Sequence, residues 1–93
     1  MTFNRVIRDS GLNKTELAEL YETSRQTVHR WIAAGHTGRG GSLVARQAEV
    51  ITQALVQSIE RGLLPMRAMD KDLRRARITR MARALHNLKP APK

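Results

Sequence analysis

The sequence contains no cysteine, which excludes a disulfide framework and a thiolate metal site. Its only aromatic residues are Phe3, Tyr21 and Trp31, too few for a surface that stacks single-stranded bases. No apolar run approaches the length of a membrane span, and the mixed, charged start MTFNRVIRDS is unlike a secretory signal. We therefore expect a cytoplasmic protein with no membrane partner.

Acidic residues are scarce in the last third of the chain. Residues 1–60 hold seven lysines and arginines against six acidic residues, whereas residues 61–93 hold ten against two. The last third therefore carries +8 of the formal net charge of +9. A basic surface of this strength favours a polyanionic partner such as nucleic acid. The length of 93 residues and the apolar content of 41% suit one small domain with a modest helical core.

A short helix is predicted to begin after Asn13. Asn13 and Glu16 have the spacing of a capping box, in which each side chain accepts a hydrogen bond from the backbone N–H of the other residue. Leu17, Ala18 and Tyr21 then share one helical face. The small side chain of Ala18 allows a second helix to cross closely.

A second helix is predicted to follow a tight turn and to end near residue 34. Thr23 and Gln26 repeat the capping-box spacing, and Gly35 suits the position after the last turn. The apolar stripe consists of Val28, Trp31 and Ile32, and the other side is polar, with Ser24, Arg25, Gln26, His29 and Arg30. Helices this short are stable only when their apolar stripes pack on other helices. The polar row is then left facing outwards.

The run GLNKTELAELYETSRQTVHRW resembles the helix-turn-helix of the lambda-repressor-like family of phage repressors and Cro proteins. The matching positions are Leu17 and Ala18 in the first helix, Ser24 at the start of the second, and Val28 and Trp31 in its buried stripe. The resemblance covers residues 2–60. One departure is Glu22, which stands where the family favours glycine and where a non-glycine residue carries a conformational cost.

The resemblance implies that the second helix enters the major groove of double-stranded DNA, with its first turns nearest the bases. Arginine can fork onto guanine, and glutamine can pair with adenine. The predicted base contacts are Ser24, Arg25, Gln26 and Arg30. The predicted contacts to the DNA backbone are Thr23, Lys14, His29, Arg39 and Ser42. An ordinary helical hairpin with a solvated polar face is the alternative.

A glycine-rich segment, GHTGRGGS, occupies residues 35–42. It superficially resembles a phosphate-binding P-loop, but Gly41 stands at the position of the essential lysine, and a helix precedes the segment where a strand is needed. Nucleotide binding is therefore not expected. Ser42 can cap the next helix and, with Arg39, can contact a DNA phosphate. A plain linker is the alternative for this segment.

Three more helices complete the predicted fold. They are expected over residues 2–10, 43–61 and about 70–88, on the basis of apolar positions at helical spacing. Gly11 and Gly62 end the first two, and Asp70 or Asp72 caps the last. The expected fold is all-α with about five helices. Residues 1–62 would form the helix-turn-helix domain, and residues 63–93 a basic C-terminal helix and tail.

The last predicted helix carries a narrow apolar seam. Ile78, Met81, Leu85 and Leu88 repeat at intervals of three, four and three, a pattern typical of helix pairing. We expect the seam to join copies of the chain into a homodimer or a higher even oligomer, while the arginines around it add non-specific DNA affinity. An arm that grips phosphates and a charged helix packed on the domain are the alternatives.

Patterns typical of catalysis or metal binding are not recognisable in the sequence. His29, His36 and His86 are scattered, and none is paired at metal-ligand spacing beside a carboxylate. His36 and His86 are interpreted as surface residues. Asp70 and Asp72 are explained by helix capping, and no Ser/His/Asp motif occurs. We therefore expect no enzyme activity, no cofactor, no metal and no small-molecule substrate.

These features together predict a sequence-specific double-stranded DNA-binding transcriptional regulator of phage or prophage origin. One alternative is a protein-interaction module or an inhibitor of a host protein, whose polar helix meets another protein. A second is an excisionase-like or small-terminase-like protein that bends or packages DNA. RNA binding by the arginine-rich helix is a third alternative.

Overall fold

The computed structural model describes residues 2–37, 43–67 and 69–87 of the chain. Within these ranges the chain forms five α-helices and no strand, which confirms the predicted all-α fold. The helices are α1 (Phe3–Ser10), α2 (Lys14–Leu20), α3 (Arg25–Ala34), α4 (Leu43–Glu60) and α5 (Lys71–His86). None of the helices in the described ranges is both long and apolar enough to cross a membrane.

The helices begin and end where local chemistry favours it. Thr2 caps α1 by accepting a hydrogen bond from the backbone N–H of Arg5, and Asp70 caps α5 by accepting from the N–H of Asp72. Gly11 ends α1 in the left-handed conformation, with φ of 67°. An alanine at Gly11 would also place its Cβ only 2.7 Å from the Cβ of Pro65. Glycine is therefore needed there both for its backbone freedom and for its lack of a side chain.

One hydrophobic core contains side chains from all five helices. α1 packs mainly on α4, while α2 packs on both α3 and α5. The most deeply buried large side chains are spread over the whole chain: Val6, Leu17, Leu20, Val28, Ile51, Leu55 and Ile78. The two helices of the predicted helix-turn-helix are therefore held by a core that the rest of the chain completes.

The C-terminal helix α5 is part of this core and does not form a separate unit. Ile78, Ala82 and Leu85 are buried in the same cluster as residues of α1 to α4. The predicted boundary at residue 63 therefore does not divide the packing of the chain. Of the three interpretations of this helix, the structure agrees with that of a charged helix packed on the domain.

The predicted oligomerisation seam is wrong for its buried members. Ile78 is 1% exposed and Leu85 9% exposed within a single chain, so neither side chain is available to a second copy. Met81 is half-buried against the same core. Leu88 lies outside the described residues. The intervals of three and four from Ile78 to Leu85 reflect packing of α5 on its own chain.

Candidate nucleic-acid interface

The start of α2 is fixed by the predicted capping box. The Asn13 side chain accepts from the Glu16 N–H at 2.8 Å, and the Glu16 carboxylate accepts from the Asn13 N–H at 3.0 Å. Arg74 of α5 then donates to both oxygens of that carboxylate, at 2.6 and 2.9 Å, and to the carbonyl of Gly11 at 3.1 Å. These hydrogen bonds hold the pKa of Glu16 below its usual range, chiefly through Arg74.

The other end of α2 is also held by α5. Nε2 of His86 lies 3.0 Å from the carbonyl oxygen of Glu19 and 3.2 Å from that of Leu20. Because carbonyl oxygens only accept hydrogen bonds, Nε2 carries the proton and donates to them. His86 is half-buried, so it lies at the surface as interpreted but also contacts α2. The sequence did not indicate this contact. Basic residues are common in the last turn of a helix, where they interact favourably with the dipole of their own helix.

The turn between α2 and α3 uses a left-handed glutamate. Glu22 has φ of 54°, its N–H donates to Glu19 at 3.2 Å, and the Thr23 N–H donates to Ala18 at 2.9 Å. This pair of bonds is the Schellman ending of a helix, which usually places glycine at the left-handed position. The expected conformational cost at Glu22 is therefore present in the structure.

The capping residue of α3 is Ser24, and the predicted capping box of Thr23 and Gln26 is wrong. The Ser24 hydroxyl accepts from the Thr27 N–H at 3.1 Å, one residue later than predicted. The reason is that the backbone N–H of Thr23 is already bonded to the last turn of α2. Thr23 thus closes one helix, and Ser24 opens the next.

An aromatic pair sets the crossing of α2 and α3. The rings of Tyr21 and Trp31 pack edge to face, with centroids 5.4 Å apart and planes at 73°. The Tyr21 hydroxyl also bonds Thr52 of α4 at 2.5 Å, while Thr52 donates to the carbonyl of Ala48. Burial raises the pKa of Tyr21 to about 12, so the hydroxyl remains protonated and donates to Thr52. Helix α3 is therefore fixed relative to both α2 and α4.

The outer side of this helix pair forms an open groove with basic and polar walls, which we call the α3 groove. Its lining residues are Lys14, Ser24, Arg25, Gln26, Thr27, His29 and Arg30. All of them are exposed except Thr27, which is half-buried. The lining holds three side chains of fixed positive charge and no aspartate or glutamate. The groove therefore suits an anionic surface.

Hydrogen bonds hold some of these side chains and leave others unengaged. The hydroxyl of Thr27 lies 2.9 Å from that of Ser24 and accepts from a guanidinium nitrogen of Arg30 at 3.1 Å. Lys14 donates to Nδ1 of His29 at 3.0 Å, which leaves the imidazole proton on Nε2. Within the described ranges the side chains of Arg25 and Gln26 form no hydrogen bond. They are free to meet a ligand without breaking an internal contact.

The structure thus brings together six of the predicted DNA-contacting residues, from two helices and the turn between them. The six are Ser24, Arg25, Gln26, Arg30, Lys14 and His29. Thr23 is half-buried and does not line the groove. Arg39 and Ser42 lie outside the described residues.

Thr27 lines the groove but is not among the predicted DNA contacts. Its hydroxyl joins Ser24 to Arg30 and so orients two predicted contacts. Ser24 lies three residues before Thr27 and Arg30 three residues after it. This spacing could have indicated the role of Thr27, because residues three apart are neighbours on a helix.

Among the described residues, no group of three or more histidines, aspartates or glutamates is arranged to hold a metal ion. The α3 groove therefore presents hydrogen-bond donors, acceptors and positive charge as its chemistry. The chain matches no family model, no curated protein and no solved structure.

Proposed function

We propose that this protein binds double-stranded DNA in a sequence-specific manner through the α3 groove. The observation that carries the proposal is the meeting of Lys14, Arg25, Gln26 and Arg30 on one open surface free of acidic side chains. Arg25 and Gln26 lie in the first turn of α3, where the helix dipole adds partial positive charge facing a phosphate backbone.

Each side chain has a role in this proposal. Arg25 and Gln26 are exposed and unengaged, and their forked donors and amide group match the edges of guanine and adenine. Arg30 and Ser24 contact bases through a geometry set by Thr27. Lys14 and His29 contact phosphates, which fixes the position of the protein on the duplex without reading its sequence.

The resemblance of residues 2–60 to phage repressors and Cro proteins supports a narrower version of this proposal. The protein would be a cytoplasmic transcriptional regulator of phage or prophage origin. It would act as a homodimer or higher even oligomer that reads two half-sites about one helical turn apart. Its copies would meet through a surface other than Ile78 and Leu85, since both are buried within one chain.

Selection from a library of random duplexes at moderate salt tests the proposal directly. Enrichment of one short sequence is expected, and enrichment of an inverted repeat would support a symmetric oligomer. Tight, salt-sensitive binding without enrichment would support a DNA-shaping or packaging protein instead. Absence of duplex binding would contradict the proposal.

Replacing Arg25 and Lys14 separates the two kinds of contact. Arg25→Ala should weaken binding to the selected site by about 1–3 kcal/mol and to random DNA much less, because the side chain reads a base. Lys14→Ala should weaken both complexes alike and lower the slope of log K against log salt by about 1, because it neutralises a phosphate. Fluorescence anisotropy with both duplexes at several salt concentrations measures both effects.

Arg8→Ala is the matched control for these variants. Arg8 is an exposed arginine of α1 that does not line the α3 groove, so its loss should leave affinity for the selected site nearly unchanged. Equal losses on both duplexes for Arg25→Ala would contradict base reading by this residue.

A further inference from the structure

A second groove lies between the middle of α5 and the end of α4. Its lining residues are Ser58, Leu63, Leu64, Met66, Arg77, Arg80 and Met81, and we call it the α5 groove. None of these residues belongs to the α3 groove. Its floor is apolar, since Leu64 is 3% exposed and Met66 and Met81 are half-buried.

One rim of the α5 groove is an exposed leucine on a well-defined turn. Gly62 donates to the carbonyl of Ile59 at 3.1 Å, and Leu63 donates to that of Ser58 at 2.9 Å, which forms a second Schellman ending. The residue in the position of Leu63 usually folds back on the helix it follows. Leu63 is nevertheless 62% exposed. Its backbone is fixed while its apolar side chain remains open to solvent.

The other rim is positively charged. Arg77 and Arg80 are three positions apart on α5 and so share a face of the helix, and both are exposed. Within the described ranges neither forms an ion pair, in contrast to Arg74 on the same helix. Leu73, one turn before Arg77, is 64% exposed and extends the apolar part of this face.

We propose that the α5 groove binds a segment of another protein in which bulky apolar side chains are flanked by aspartate or glutamate. The apolar side chains would occupy the floor beside Leu64, Met66 and Met81, and the carboxylates would pair with Arg77 and Arg80. Arginine suits this role because its planar fork pairs with a carboxylate through two hydrogen bonds. The proposal is independent of DNA binding by the α3 groove.

Charge and size favour this occupant over others. A second copy related by two-fold symmetry would bring two identical positively charged rims into one interface that offers no acidic partner among the lining residues, and like charges repel. The groove measures about 290 Å³, at the lower limit of pockets for small molecules, which are about 300–1,000 Å³. A nucleic-acid backbone would engage the arginines but would leave the apolar floor and Leu63 uncovered.

The test uses the full chain and a short peptide probe. The probe carries two leucines four positions apart, so that they share one face of a helix, and glutamates at the flanking positions. One control peptide replaces the glutamates by lysines, and another replaces the leucines by serines. Binding is followed by anisotropy of the labelled peptide and by NMR of the methionine methyl groups, where Met66 and Met81 report on the groove and Met69 lies outside it.

The acidic leucine peptide should bind and should shift the methyl signals of Met66 and Met81, while neither control peptide does. Arg77→Glu combined with Arg80→Glu should weaken binding at least about tenfold, because attraction is replaced by repulsion. Arg75→Glu combined with Arg83→Glu is the matched control, since both arginines are exposed on α5 but do not line the groove. Leu63→Ser should weaken binding without any change of charge.

Several results would overturn the proposal. These are absence of binding by the acidic leucine peptide, an equal loss in the two arginine double variants, and shifts of Met66 and Met81 caused by random duplex DNA but not by the peptide. Self-association that is abolished by Leu63→Ser would assign the groove to a second copy instead. Circular dichroism of each variant checks that the helices are retained, and binding of DNA by the α3 groove is measured separately.

Discussion

Glu22 occupies a backbone conformation that few side chains adopt readily. Its φ of 54° lies in the left-handed region, where the Cβ of an L-residue crowds the following carbonyl. The side chain gives little in return, since it is 76% exposed and the nearest ionisable nitrogen, Nδ1 of His86, is 3.9 Å away. An exposed pair at this distance contributes little to stability.

Glu22→Gly should therefore stabilise the protein, by up to about 1 kcal/mol in the free energy of unfolding. Glycine adopts this conformation without crowding, although it also increases the entropy of the unfolded chain. Urea denaturation followed by circular dichroism measures the change. Glu22→Ala is the control, because it removes the carboxylate but keeps a Cβ. An equal gain in both variants would attribute the effect to the charge and not to the backbone.

Helix α2 is held at both ends by α5, and the contact at its start depends on pH. Glu16 has a lower pKa in the folded protein than its usual value of about 4.5, chiefly because Arg74 donates hydrogen bonds to its carboxylate. The folded protein therefore binds the proton of Glu16 less readily than the unfolded chain does. The stability due to this carboxylate is complete well above pH 4.5 and is lost as the pH falls through the lower, folded pKa.

Glu16→Gln should make the stability of the protein less dependent on pH below about 4.5. It should also lower the free energy of unfolding near neutral pH by about 1–3 kcal/mol, since a charge-assisted pair of hydrogen bonds is weakened. Thermal unfolding of both proteins over the acid range provides the comparison. The control is Asp9→Asn, because Asp9 pairs only at 3.5 and 3.6 Å with exposed arginines. A similar flattening in the control would contradict the assignment to Glu16.

The helices and most of their ends followed from local patterns, whereas contacts between distant elements did not. Asn13 with Glu16 and the glycines at positions 11, 35 and 62 mark helix ends through interactions within a few residues. The choice between Thr23 and Ser24 as a cap depended on the ending of the previous helix, and spacing did not reveal it. The polar row of the α3 groove could be predicted because it lies on one helix. The contact of Lys14 with His29 joins two helices and could not be predicted from local patterns.

The whole molecule depends on α5 in a way that the sequence pattern left ambiguous. An apolar seam at intervals of three and four residues is equally suited to a partner copy and to the same chain. Here Ile78, Ala82 and Leu85 complete a core that includes every other helix. A chain without α5 would expose the apolar side of α2 to solvent. Helix α2, which helps to form the α3 groove, would then lose its packing partner.

Ile78→Ala should lower the free energy of unfolding by about 2–5 kcal/mol, because it leaves a cavity in the core. Because Ile78 packs within a single chain, the loss of stability should be the same at low and at high protein concentration. Leu73→Ala on the exposed side of α5 is the control and should change stability by no more than about 0.5 kcal/mol. A loss that grows with protein concentration would restore a role for Ile78 between copies.

The attachment of α5 to both ends of α2 has a consequence for synthesis of the protein. Arg74 follows Glu16 by 58 positions, and His86 follows Glu19 by 67. On the ribosome the residues of α2 and α3 emerge long before those that anchor them. During that interval the nascent chain holds the two helices that line the α3 groove without their stabilising partner. The surface proposed to read DNA is therefore completed only after α5 has left the exit tunnel and docked.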